Sequence, residues 1–167
     1  GSQNRFSPRP RRAPRWLAVA EAELERELRE WIAPGGAWIE CPMYQAPSLD
    51  GIFLLAQALK NVKGRDLFSA PRLQATMDYY GFLLTPPDVR FTPPRRMMPP
   101  IGHHPYNTPG QLGLYEWNAL QFQEIDPELA AWSHWAWLEG NQTPDYHYLM
   151  PLNYFWANEK FPAKAPA

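Results

Sequence analysis

Proline and glycine clusters divide this sequence into segments whose apolar residues recur every three or four positions, which is the spacing of one helix face. The clearest breaks are Pro34-Gly35-Gly36 and Pro86-Pro87. Between such breaks, almost no run has the pattern that is typical of a strand. The sequence therefore predicts an all-α fold in which Gly/Pro turns join the helices.

The predicted helices differ in how polar they are. Residues 15–33 carry an apolar stripe opposite a charged face, whereas residues 48–62 have almost no polar face and should be buried on most sides. Three more helices are predicted: residues 70–84 with Ser69 as N-cap, a helix from Thr108-Pro109 to Phe122, and a helix from Asp126 to Gly140. This alternation is typical of stacked helical hairpins, as in a partial (α/α) toroid, and an ordinary helical bundle is the alternative.

The length of 167 residues fits one domain, flanked by two segments of biased composition. Residues 1–15 are predicted to be a tag remnant followed by a basic linker rich in proline and arginine, with a polyanion-binding arm as the alternative. The helical, toroid-like domain is predicted over residues 16–158, with a further short helix at 146–156. Residues 159–167 are a tail rich in proline, alanine and lysine.

Composition and charge narrow the classes of function. Sixteen basic and seventeen acidic residues give a net charge of −1, so no overall basic surface favours nucleic acid as a partner. The longest strongly apolar stretch, residues 52–59, is too short to span a membrane. The single cysteine, Cys41, excludes an internal disulfide framework and a metal site built from several cysteines.

Residues 85–106 form a long connection without helical spacing, and it contains seven prolines, three arginines and two histidines. Loops of this length are usually functional or disordered, and we predict an ordered functional loop. Carboxylate or sulfate groups would be bound by its charged and polar side chains, namely Arg95, Arg96, His103, His104 and, just beyond it, Asn107. The alternative is a solvated loop whose histidines cap backbone groups. No metal is expected, because adjacent histidines point apart in extended backbone and no third ligand has suitable spacing.

Two segments resemble a known family. Residues 35–45 run Gly-Gly-Ala-Trp-Ile-Glu-Cys-Pro-Met-Tyr-Gln, and residues 99–104 run Pro-Pro-Ile-Gly-His-His. A glycine pair, an acidic residue and Pro-Met-Tyr before an apolar helix resemble the heparinase II/III and alginate lyase group of polysaccharide lyases, and so does the second segment. The Asp-Pro-Glu-Leu-Ala sequence that starts at Asp126 and the tryptophan-rich helix after it also fit. The resemblance extends from Trp16 to about Asn158.

The resemblance implies a helical (α/α) toroid followed by a β-sandwich, and cleavage of uronic-acid polysaccharides by β-elimination. This chain would hold only the later toroid hairpins, so its expected partners are an anionic polysaccharide and the β-sandwich remainder of its parent protein. Secretion or a periplasmic location is implied in the same way. No cofactor is expected. An incomplete ring also exposes apolar helix faces, which favours self-association.

The resemblance assigns the catalytic acid, and in some members also the base, to Tyr44. A phenol suits this chemistry because elimination removes the proton beside the uronate carboxylate and returns a proton to the leaving oxygen. Family members often have histidine after this tyrosine, whereas this chain has Gln45, and the residues before Tyr44 hold no evident group to neutralise the substrate carboxylate. The residues predicted to line or rim the substrate cleft are Trp38, Glu40, Gln45, Arg95, Arg96, His103, His104 and Asn107.

Two other functions stay open on the sequence. One is a non-catalytic helical module that binds carbohydrate or serves as a scaffold. The other is a toroid glycoside hydrolase, which needs two carboxylates facing across a cleft, and the candidates are Asp50, Asp78 and Glu116. His134 and His147 lie in aromatic segments and are predicted to be structural.

Overall fold

The computed structural model describes residues 13–103, 113–140 and 160–165. Five α-helices lie in these ranges: α1 (Ala13–Glu30), α2 (Pro42–Lys63), α3 (Pro71–Phe82), α4 (Gly113–Phe122) and α5 (Pro127–Glu139). Apart from two isolated β-bridges, the described residues contain no β-structure. The prediction of an all-α fold is therefore confirmed. None of the described helices is long and apolar enough to cross a membrane.

Prolines begin three of the helices, because the first turn of a helix does not need the backbone N–H that proline lacks. Pro42, Pro71 and Pro127 occupy this position in α2, α3 and α5. Helix α2 consequently starts six residues before the predicted residue 48, and it includes Tyr44. Helix α1 starts at Ala13, within the segment predicted as a linker.

The predicted N-caps have different outcomes. Asp126 caps α5 as predicted, since its carboxylate accepts a hydrogen bond from the Leu129 amide at 3.0 Å. The prediction for Ser69 is wrong: Ala70 is the N-cap of α3, and the Ser69 hydroxyl instead donates to the Asp66 carbonyl at 3.2 Å. The predicted cap at Thr108 and the short helix at 146–156 lie outside the described residues.

Helix α1 is amphipathic, as predicted. Leu24 and Leu28 are buried, while Arg26 on the outer face pairs with Glu23 and, at 3.3 Å, with Glu30. Two further ion pairs, Lys63–Glu21 and Arg65–Glu25, connect α1 to the end of α2. Such exposed pairs contribute little to stability, so α1 is held mainly by its buried leucines.

Helices α4 and α5 form an antiparallel hairpin that encloses two buried polar contacts among apolar side chains. The Asn118 side-chain amide donates to the Ser133 hydroxyl at 2.6 Å, and His134 Nδ1 lies 2.7 Å from Glu116 Oε2. Along this interface the α4 number rises as the α5 number falls, which defines the antiparallel direction. Glu116 and His134 are 0% and 3% exposed, so His134 is a structural residue, as predicted.

The helices are arranged in two sets. Helix α3 contacts α1 and α5, whereas α2 contacts α4. An extensive contact between α4 and α5 joins the sets, and Phe53 of α2 makes edge-to-face contacts with Phe68 at 5.4 Å and with Trp117 of α4 at 5.2 Å. Only part of α2 is covered, because its open stripe of Gly51, Leu54, Ala58 and Val62 is exposed. The expectation that α2 is buried on most sides therefore does not hold for this stripe.

Glu116→Leu tests the buried polar contact between α4 and α5. The substitution places an apolar side chain of similar size at position 116 and leaves His134 Nδ1 without its carboxylate partner. We expect the free energy of unfolding to fall by about 3 kcal/mol, measured by urea denaturation. Glu124→Leu, at an exposed turn position, should change it by less than about 0.5 kcal/mol. Equal effects of the two substitutions would contradict a structural role for the Glu116–His134 contact.

Candidate active site

Tyr44 lies in the first turn of α2, where Pro42 starts the helix and Cys41 is the N-cap. Its amide donates to the Cys41 carbonyl at 3.0 Å, and the Ser48 hydroxyl donates to the Tyr44 carbonyl at 2.9 Å. These bonds fix the backbone, while the side chain stays 43% exposed. The phenol is therefore accessible to solvent on a rigid backbone.

His103 is the second predicted site residue at this position. Its ring is stacked on that of Tyr44, with 6.1 Å between centroids and 8° between planes. The loop reaches this position at Gly102, which has φ of 67° and whose added Cβ would lie 2.9 Å from the Cβ of Cys41. Only glycine combines that conformation with such a close approach. The structure thus brings together Tyr44 and His103, which are 59 positions apart in the sequence.

The Gly35-Gly36 turn packs against α3, which links it to the same turn of α2. Gly36 has φ of 88°, and an added Cβ would lie 1.9 Å from the Ala75 carbonyl oxygen of α3. The Thr76 hydroxyl donates to the Gly36 carbonyl at 2.7 Å and accepts from the Gln45 amide nitrogen at 3.0 Å. Gln45 is only 1% exposed, so the prediction that it contacts substrate is wrong. Its amide is part of an internal hydrogen-bond chain.

Trp38 and Glu40 have opposite environments. Trp38 is 7% exposed and packs edge-to-face on Trp31 with 5.8 Å between centroids, so the prediction of a ring facing the cleft is wrong. An antiparallel β-bridge pairs the backbones of Ile32 and Trp38, and the Trp38 ring lies in the core. Glu40 is exposed four residues before Tyr44, as a rim position requires.

The two loop arginines that were predicted to bind substrate, Arg95 and Arg96, contact other side chains of the protein. The Arg96 guanidinium donates to Glu139 at 3.2 Å and to the Thr85 carbonyl at 3.1 Å, and it lies over the Trp135 ring at 5.0 Å. Arg95 lies over Phe91 at 4.2 Å. These donors hold the loop against the end of α5, and substrate binding by Arg96 stays a prediction. His104 and Asn107 lie outside the described residues.

A separate cavity of about 340 Å³ lies between α3 and α5. Asp78, Asp126 and Trp132 line it together with the tail residue Lys164. Burial, and then the neighbouring Asp126 carboxylate, raise the pKa of Asp78. The other two carboxylates named for a hydrolase, Asp50 and Glu116, are buried and do not line this cavity. No group of three Asp, Glu, His or Cys side chains suited to a metal ion occurs within the described ranges.

Two of the residues that shape this site were missed by sequence reasoning. Thr76 is a single hydroxyl residue inside a helix, and no sequence signal distinguishes it. Gly102 did carry a signal, since a glycine directly before paired histidines favours a special backbone conformation. Its contact with Cys41 could not be predicted, because the two residues are distant in the sequence.

Comparisons with protein-family models, with curated proteins and with solved structures gave no match for this chain. The resemblance to polysaccharide lyases therefore rests on the two short motifs. Both motifs meet at one place in the fold, since residue 44 belongs to the first and residue 103 to the second.

Gly102→Ala tests whether the loop approach is required for the ring stack. The new Cβ would contact Cys41 Cβ and disfavour the positive φ, which costs at least about 1 kcal/mol. We expect NMR contacts between the ring protons of Tyr44 and His103 to be lost. Gly51→Ala is the matched control, because an added Cβ there meets no atom within 4 Å. Retention of the ring contacts in Gly102→Ala would show that the approach is not needed.

Asp78→Asn tests the raised carboxyl pKa in the cavity. A raised pKa means that ionised Asp78 destabilises the folded state relative to the unfolded state, whose carboxyl has the ordinary value of 3.8. Asparagine should therefore raise the melting temperature at pH 7. The gain should shrink as the pH falls below the folded-state pKa and disappear below 3.8, measured by thermal unfolding across pH. A gain that is independent of pH would contradict this origin.

Proposed function

We propose that this chain is part of a polysaccharide lyase that cleaves a uronic-acid polysaccharide by β-elimination, with Tyr44 as the group that moves protons. The observation that supports this most is the exposed phenol of Tyr44 on the first turn of α2, stacked against His103. Tyr44 belongs to the first of the two motifs that resemble the same family, and His103 belongs to the second. The arrangement places an accessible phenol beside an imidazole ring.

In the proposed reaction, a base removes the proton from the carbon beside the uronate carboxylate. The electron pair of that C–H bond forms a double bond to the neighbouring carbon, the bond from that carbon to the glycosidic oxygen breaks, and the oxygen takes a proton. As phenolate, Tyr44 accepts the proton from the carbon. As the phenol, it donates a proton to the glycosidic oxygen. General acid–base groups of this kind contribute roughly 10²–10⁴-fold to rate.

His103 has the complementary role of facing the negative charge that develops on the substrate. An imidazole ring has an N–H donor, so the ring beside Tyr44 can donate a hydrogen bond to the uronate carboxylate or to its enolate form. Among the rim residues proposed from the sequence, Glu40 and His103 remain exposed within the described residues. Arg95 is half-buried beside Phe91, so it is a weaker candidate for contact with the substrate.

The proposal extends to the partial toroid. Contacts of α3 with α1 and α5, and of α2 with α4, agree with an outer and an inner ring of paired helices. The open stripe of α2 would then pack against a neighbouring hairpin of the parent protein or against a second copy. The β-sandwich partner and the secreted or periplasmic location belong to the same proposal.

A non-catalytic carbohydrate-binding or scaffold module is the second candidate. It is favoured by the internal use of Trp38, Gln45 and Arg96, which leaves fewer side chains to contact a substrate. The two candidates differ in product formation, so one assay separates them.

The test is ultraviolet absorbance during incubation with alginate, heparin, heparan sulfate and hyaluronan, because elimination leaves an absorbing unsaturated uronate. We expect signal with at least one polymer, and a loss of at least about 100-fold in Tyr44→Phe. Tyr79→Phe, on α3 and half-buried, is the matched control and should retain activity.

Other outcomes count against the proposal in distinct ways. Binding of a polymer by folded protein without absorbance would favour the module. New reducing ends without absorbance would indicate a hydrolase. Full activity in Tyr44→Phe would remove Tyr44 from the mechanism.

A further inference from the structure

A buried chain of hydrogen bonds lies directly behind Tyr44. The Gln45 side-chain amide donates to the Thr76 hydroxyl at 3.0 Å, and this hydroxyl donates to the Gly36 carbonyl at 2.7 Å. Gln45 is 1% exposed and Thr76 is 0% exposed. Three parts of the chain are joined by two bonds: the first turn of α2, the middle of α3 and the glycine turn.

The chemistry of the groups fixes the direction of this chain. The Gly36 carbonyl can only accept, so Thr76 must use its single hydroxyl proton on that bond. Thr76 can then only accept from Gln45, and the NH₂ group of Gln45 must face it. A carboxylate at position 45 has no proton for this bond, so an amide suits the position and a glutamate does not.

The location of the chain relates it to Tyr44. Gln45 directly follows Tyr44 on the helix, about 100° further around its axis, and it is buried whereas Tyr44 is exposed. The glycine turn cannot move independently of α3, since Gly36 touches the Ala75 carbonyl and Arg72 donates to the Ile32 carbonyl at 2.6 Å. The Gln45–Thr76 bond therefore opposes a shift of the first turn of α2 relative to α3.

We propose that Gln45 and Thr76 are positioning residues for Tyr44, which hold the first turn of α2 so that the phenol stays stacked on His103. The catalytic part of this inference rests on the proposed lyase function. The structural part does not, since it concerns only the geometry of Tyr44 and His103.

Thr76→Val is the main test, because valine has nearly the shape of threonine and lacks the hydroxyl. We expect hydrogen exchange at the Tyr44 and Gln45 amides, which both bond to the Cys41 carbonyl, to become faster by on the order of tenfold. The NMR contacts between the Tyr44 and His103 rings should weaken in parallel. Thr76→Ser restores the hydroxyl and should restore both signals.

Ser133→Ala is the matched control, since it also removes a buried hydroxyl hydrogen bond but lies between α4 and α5. It should leave the Tyr44 amide and the ring contacts unchanged. Gln45→Met provides a second variant in case Thr76→Val folds poorly. It keeps the Thr76–Gly36 bond and removes only the link to α2, so it should show the same local effects.

The activity measurement is made on the same variants. If the wild-type protein produces unsaturated uronate, Thr76→Val should lower kcat by on the order of tenfold with little change in KM, and Thr76→Ser should recover it. Absence of product from the wild-type protein would overturn the lyase proposal and leave the exchange and NMR results as the test of positioning. Unchanged exchange and ring contacts in both Thr76→Val and Gln45→Met would overturn the positioning role, whatever the activity.

Discussion

The candidate site depends on close backbone contact at the first turn of α2. Gly102 touches Cys41 on one side of this turn, and Gly36 touches the Ala75 carbonyl where the glycine turn meets α3. Each contact is closer than a residue with a Cβ can make, and each glycine has a positive φ. Because interiors are closely packed, such contacts allow few alternative positions for the helix end. The exposed Tyr44 ring therefore lies on a helical turn against which the loop packs closely at Cys41.

Tyr44 and Gln45 are neighbours on this turn but differ in burial, so they have different roles. Tyr44 faces solvent, while Gln45, one position later, is buried in the hydrogen-bond chain with Thr76. An amide in this position satisfies a hydroxyl without adding charge to the interior, which a carboxylate or an ammonium would do at much greater cost. The amide at position 45 thus has a structural explanation in this chain.

The sequence predicted the helices well because their signals are local. Apolar spacing and the Asp126-Pro127 start are each contained within a few residues, and the structure bears them out, whereas the starts at Pro42 and Pro71 were not predicted. The meeting of Tyr44 and His103 was predicted only as membership of one cleft, through the resemblance of two motifs. What failed was the environment of individual side chains: Trp38 and Gln45 were expected to be exposed and are buried. Burial depends on which elements pack together, and neither apolar spacing nor short motifs contain that information.

Arg96 illustrates the same limit and changes the expected electrostatics of the site. A charged residue in a proline-rich loop is usually solvated, yet its guanidinium is bound by Glu139, the Thr85 carbonyl and the Trp135 ring. It stabilises the loop that carries His103, and its charge is already balanced by a carboxylate. Exposed Glu40 near Tyr44 adds a negative charge that opposes an anionic polymer. Recognition of a uronate at Tyr44 would therefore depend on hydrogen bonds from positioned groups such as His103, and less on a general positive field. That conclusion makes the rigidity of the first turn of α2 more important, since directional bonds lose strength with small displacements while long-range attraction does not.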